Sequence, residues 1–252
     1  MRAVVVCLAL LAVPASALAQ ARGAAAAGWN GPYRISVNVG AQASTDGTLS
    51  QSFSTIQYAE PAPITASIDA RRAMLVDIGG SYKIRPQFAI AYAFTASTHD
   101  TSAAVTAQVP HPFFLNQPRT ISGSTPVSGS ARAQHISAAY VVPRRSIEVM
   151  LLGGPSFFAV RQSLVTDIRF KDVYPYDQAN ISFIDAPTTV VEQNVVGFHV
   201  GADVAFKLSA NVGAGVLARF ARGSATLDAG SGNSVRFTAG GLQIGGGVRL
   251  AF

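Results

Sequence analysis

Cysteine is almost missing. The single one, Cys7, falls in the first apolar stretch, so nothing downstream can form a disulfide framework, a thiolate metal site or a cysteine nucleophile. Long apolar runs are missing too. A membrane-crossing helix needs roughly 20 consecutive apolar residues, and past the N-terminus the chain never offers them although 49% of it is hydrophobic. Charge is scarce at 13% of residues, and the basic residues behind the net charge of +6 stand singly or in pairs such as Arg71-Arg72 and Arg144-Arg145. With no basic helix or aromatic-interleaved patch, no nucleic-acid partner is expected. There is no phosphate-cradling glycine loop and no His/carboxylate cluster at metal-ligand spacing. His99, Asp100 and His111 are too sparse for one, so neither a cofactor nor a metal is expected.

What is present begins with a targeting segment. Met1-Arg2 is a positive start, residues 3–13 are an apolar core, and Ala17-Leu18-Ala19 fits the small-x-small cleavage rule. Residues 1–19 are therefore expected to be a signal peptide and Gln20 the mature N-terminus. Loss of Arg2 lowers the net charge from +6 to +5. Residues 20–31, rich in Ala and Gly, form a lead expected to be flexible, and residues 32–252 the single folded domain.

From Tyr33 onward the hydrophobic pattern has a period of two. Tyr33, Ile35, Val37 and Val39 alternate with Arg34, Ser36, Asn38 and Gly40, as in a strand wetted on one face. The signal recurs over residues 72–84, 87–97, 131–142, 146–163, 190–206, 210–222 and 234–252. Each is long enough for a tilted strand to cross a bilayer, about 9–11 residues. The connections alternate in length: 45–71, 98–130, 164–189 and 223–233 are long and rich in polar residues, Pro or Gly, whereas Arg85-Pro86, Pro143-Arg144-Arg145 and Lys207-Leu208-Ser209 are tight turns. Short turns at one end and extended loops at the other are the habit of outer-membrane barrels. Closure removes the sheet edges that lipid does not tolerate. The expected fold is all-β: a closed antiparallel up-and-down transmembrane β-barrel of eight strands, with long outer loops and short periplasmic turns.

The chain ends on an amphipathic strand carrying Leu242, Ile244, Val248, Leu250 and a last aromatic residue, Phe252. This resembles the C-terminal assembly signal of bacterial outer-membrane proteins, and the mature chain resembles the small barrels of the OmpA-type and OmpW-type families. The resemblance implies an outer-membrane location, outer-membrane lipids and lipopolysaccharide as neighbours, and recognition of Val248, Leu250 and Phe252 by the barrel assembly machinery. No residues follow the last strand, so the peptidoglycan-binding domain of full-length OmpA-type proteins is not expected.

The polar faces of the strands would point into the lumen with Arg34, Asn38, Asp77, Lys83, Glu148, His199, Asp203, Arg219, Gln243 and Arg249. They can fill a narrow barrel as ion pairs, or line a conduit whose basic excess favours anions. His135, Ser137 and Glu148 are the residue types of a hydrolase. The His-x-Ser spacing is similar to that of lipid A deacylase barrels, but the rest of that family's motif around the histidine is missing and the pair lies on the polar face. Loop aromatics, Phe113-Phe114 and Tyr174-Pro175-Tyr176, can pack over the mouth; an OmpW-type resemblance implies a gate or adhesive patch for small apolar molecules. The leading expectation is a non-enzymatic barrel supporting envelope integrity or surface interaction. The alternatives are a narrow passive channel for small anionic or apolar solutes, and a lipid hydrolase.

Overall fold

The computed structural model describes residue 29 and residues 31–44, 47–228 and 234–252; the signal peptide and most of the lead lie outside them. The described residues form twelve strands: β1 (Tyr33–Ala43), β2 (Thr48–Gln57), β3 (Glu60–Asp69), β4 (Arg72–Arg85), β5 (Phe88–Val109), β6 (Arg119–Pro143), β7 (Ile147–Val165), β8 (Arg169–Asp172), β9 (Ile181–Asp185), β10 (Thr188–Lys207), β11 (Val212–Asp228) and β12 (Ser234–Ala251). Eight of them close a ring, β1-β4-β5-β6-β7-β10-β11-β12, in which β12 returns to pair with β1. All pairings are antiparallel. The chain is therefore the closed eight-stranded barrel its alternation implies.

The ring strands whose outward residues are apolar make a belt. Ile35, Val37 and Val39 on β1, Met74, Val76 and Ile78 on β4, and Ile244, Val248 and Leu250 on β12 are all substantially exposed. At the end with the tight turns, outward aromatics pair across strands: Tyr33 with Tyr82 (ring centroids 5.1 Å apart) and Phe88 with Tyr140 (5.6 Å). An apolar exterior edged by aromatics is the solution that lipid demands of a barrel. Phe252 joins this edge. Its N–H donates to Tyr33 O at 3.1 Å, its carbonyl accepts from Tyr33 N–H at 3.0 Å, and its ring lies 6.3 Å from that of Tyr33.

The polar connections are less loop-like than expected. Residues 45–71 contain the hairpin β2–β3, turned at Tyr58 and Ala59 with φ of 48° and 64°, the double positive φ of a tight I′ turn. Strand β3 pairs with β5 from Ile64↔Ala107 to Ile68↔Ala103, in the place β4 vacates beyond Met74↔Thr98. Residues 98–130 are mostly the continuation of β5 and β6, paired unbroken from Phe88↔Tyr140 to Val109↔Arg119. A 22-residue strand spans roughly 70 Å, about twice what a bilayer crossing needs. The barrel wall thus runs on as a crown beyond the belt.

In the crown the alternation keeps its phase and reverses its polarity. On β5, outward Phe88, Ile90, Tyr92 and Phe94 give way to outward Thr98, Asp100, Ser102 and Thr106, while inward Thr95 and Ser97 give way to inward Ala103, Val105, Ala107 and Val109. The crown therefore has a dry core of its own, built from Leu49, Ile64, Ile68, Val105, Ile121, Leu164, Leu227 and their neighbours. Residues 164–189, expected to be a loop, supply its cover: the β8–β9 hairpin and the residues flanking it insert Ile168, Ile181 and Ala186, with Phe170 and Phe183 packed alongside. Phe183 occupies the space over Gly123, where a Cβ would lie 2.0 Å from its ring.

Candidate functional site: the lumen and its cover

Inside the belt, every lumen residue anticipated from the sequence is buried except Lys83, whose side chain is 18% exposed. Nearest the turn end, Glu148 accepts from Arg34 (3.2 Å) and Lys83 (2.7 Å). Arg34 also reaches Asp203 at 3.2 Å, and Asp203 is gripped by Arg249 through Nε at 3.2 Å and Nη2 at 2.6 Å. Above them Asp77 accepts from Asn38 (2.9 Å), Thr95 (2.8 Å) and Arg219. Arg219 then donates to Gln243 (2.7 Å), which donates to Gln42 (2.9 Å). The four cations Arg34, Lys83, Arg219 and Arg249 thus face the three carboxylates Asp77, Glu148 and Asp203, and each carboxylate is engaged. Isolated charges there would be costly, and interlocking is what makes them tolerable.

The same interlocking crowds the lumen. At the level of Arg34, Asp77, Asp203 and Arg219 the lumen leaves a cavity of about 30 Å³, room for a water or two. A separate cavity of about 30 Å³ lies higher, between Gln42, His99 and Gln162. Above it comes the apolar core of the crown, and below it Trp29, buried against Ala205 and Ala251, donates its indole N–H to Ser209 O at 3.3 Å. Trp29 lies on the lead expected to be flexible.

The hydrolase parts do not assemble as the sequence suggests. His135 bonds Ser156 through Nδ1 at 2.8 Å, not Ser137. Ser137 meets His199 Nε2 at 2.8 Å, and His199 Nδ1 meets Ser156 at 2.9 Å. Glu148 is bound to Arg34 and Lys83, and among the described residues no carboxylate bonds either ring. The four side chains form one buried network beside the water-sized cavity that Ser137 lines. Among the described residues no group of three or more His, Cys, Asp or Glu is placed to hold a metal.

Sequence reasoning missed the clamp that holds the cover. Arg119, at the loop end of β6, forms a bidentate pair with Asp172 of β8 at 2.6 and 2.7 Å, and the other hydrogens of its two terminal nitrogens go to the carbonyls of Tyr176 (2.9 Å) and Pro110 (3.0 Å). Tyr58, at the tip of the β2–β3 hairpin, donates to Asp172 at 3.1 Å. Burial first, and then that carboxylate, raise the Tyr58 phenol above its ordinary value. Gln178 bonds both backbone groups of Thr120, at 3.0 and 2.7 Å. Over the clamp stand the loop aromatics. Phe113 meets Tyr176 edge-on at 5.5 Å, while Phe113, Phe114, Leu115 and Tyr174 remain 59–78% exposed.

No protein-family model matches this sequence, and no curated protein does. Solved structures of similar shape include the outer membrane protein OprG from Pseudomonas aeruginosa, at 8% identity over 88% of this chain and 96% of that one, with a TM-score of 0.48. Neisserial surface protein A is similar at 12% identity over 88% and 97%, with a TM-score of 0.44. The outer membrane protease OmpT from Escherichia coli is similar at 8% identity over 87% and 96%, with a TM-score of 0.47. Identities this low say nothing of activity.

Proposed function

We propose that this chain is a non-conducting, non-enzymatic outer-membrane barrel that acts through its crown at the cell surface, with the tight-turn end in the periplasm. The observation that carries this reading is the obstruction of the lumen at two independent levels: an ion-paired layer with room only for water, and an apolar core under a clamped cover. A channel needs a continuous polar path, and a hydrolase needs room for its substrate beside the nucleophile. What is left to present to the outside is the crown, polar on its walls and tipped with Phe113, Phe114, Leu115 and Tyr174. Exposed apolar clusters of this kind mark interaction surfaces. A supporting role for the envelope is part of the same proposal, and Val248, Leu250 and Phe252 are assigned to recognition by the assembly machinery because their outward side chains lie along the end of the closing strand.

The test is to display the wild type and a Phe113→Ser/Phe114→Ser/Tyr174→Ser variant on cells and measure partition of the cells to a hydrocarbon phase. Lower partition for the variant, at equal amounts of heat-modifiable protein, is the expected result. Equal partition, together with solute permeation through wild-type proteoliposomes, would overturn the reading in favour of a channel.

A further inference from the structure

Among the described residues the crown has a gap in its wall. Strand β1 ends at Ala43, paired with Leu242, and the part of β12 beyond that point pairs with β11 alone. Strand β2, which stands on the other side, pairs with β3 alone. Two glycines make the parting possible: Gly240 and Gly241 have φ of 96° and 125°, and a Cβ on Gly241 would lie 1.9 Å from Ala43 O. At the parting the surface holds a cleft of about 650 Å³ lined by Thr48, Ser50, Arg222, Ser224, Thr226 and Arg236, among others. Among the described residues, no carboxylate lines it and neither arginine is in an ion pair.

Its height matters as much as its charge. Arg222 follows outward Phe220 on β11 by one alternation, and Arg236 lies on β12 beyond outward Leu242. The cleft therefore begins where the apolar belt ends. We infer that it binds a phosphate group of an outer-leaflet glycolipid, with the acyl chains lying on the belt below and the two guanidinium groups on the phosphate oxygens. Arginine suits this ligand because its planar fork donates two parallel hydrogen bonds to phosphate. The hydroxyls of Ser50, Ser224 and Thr226 are placed for the neighbouring sugar. This assignment rests on the outer-membrane reading above, with the crown outside.

The experiment uses the full-length mature protein, released from detergent micelles in a mass spectrometer after incubation with bisphosphorylated lipid A, with the same lipid A after dephosphorylation, or with inorganic phosphate as competitor. Arg222→Gln/Arg236→Gln is compared with Arg144→Gln/Arg145→Gln, which removes the same charge at the tight-turn end. Wild type is expected to retain one phosphorylated lipid, and the crown variant at least about tenfold less, since each lost contact is a charge-assisted one. The turn-end variant and wild type are expected to behave alike. Equal retention of dephosphorylated lipid, equal retention by the crown variant, or displacement of the lipid by millimolar inorganic phosphate would overturn the inference. Each protein is also run unheated and boiled on a gel: a mobility shift without phosphate-dependent retention defeats this inference alone, whereas no shift defeats the barrel reading as well.

Discussion

Arg249 is fully buried and spans both carboxylate oxygens of Asp203, which Arg34 touches from the other side. Removing one member of such a pair leaves an uncompensated charge in the barrel. Asp203→Ala is expected to destabilise the barrel by roughly 3–5 kcal/mol, read as a lower temperature for loss of the compact gel band. Replacing both partners, as Asp203→Leu/Arg249→Met, is expected to recover much of that loss, because a packed apolar pair carries no desolvation cost. A single variant as stable as wild type would show the pair to be solvated.

Closure of the ring rests on close backbone approach at several glycines of one seam, tightest at Gly247. A Cβ on Gly247 would lie 1.8 Å from Val37 O, across the seam between β12 and β1. Gly247→Ala is expected to lower the fraction of protein reaching the heat-modifiable form, while Gly80→Ala, where a Cβ meets nothing within 4 Å, leaves it unchanged. Equal yields of the two would mean the seam can shift to make room.

The Arg119–Asp172 clamp separates the cover from the barrel experimentally. Arg119→Ala is expected to leave the belt folded and heat-modifiable but to open residues 166–187 to protease and increase binding of a hydrophobic dye to the crown core. Continued protection would place the hold in the buried contacts of Ile168, Ile181 and Phe183 instead.

Tyr58 gives the clamp a pH limit. A phenol whose value is raised in the folded state contributes its stabilisation below the unfolded value of 10.0 and loses it as pH rises through the higher folded value. Protection of the cover is expected to hold to pH 10.0 and to fall above it, where a tyrosinate would face the Asp172 carboxylate. In Tyr58→Phe the alkaline step should vanish. Brief proteinase K digestion across this range measures both, and an identical profile for the variant would contradict the assignment.

The belt was legible because lipid imposes a one-sided pattern: Tyr33, Ile35, Val37 and Val39 can be read as a strand without neighbours. The crown was not, because small residues weaken the contrast once the outside turns polar, as in Ser102, Ala103, Ala104 and Val105. The β2–β3 turn was hidden for another reason. Tyr58-Ala59 lacks the Asn-Gly chemistry that announces a I′ turn, and crown packing must hold it. Lumen residues were identifiable by parity, but their partners depend on strand stagger, which no local pattern reports. Hence the sequence places His135 beside Ser137 where the fold bonds it to Ser156, and it carries no sign of the pair Arg119 and Asp172, 53 residues apart.

Single-channel recording in a planar lipid bilayer tests the closed lumen most directly. Wild type is expected to insert without conductance steps, and so is Arg119→Ala, because the Arg34–Asp203–Arg249 and Asp77–Arg219 layers remain below the opened cover. Steady ohmic steps from the wild-type protein would contradict the account and return the barrel to the class of narrow channels.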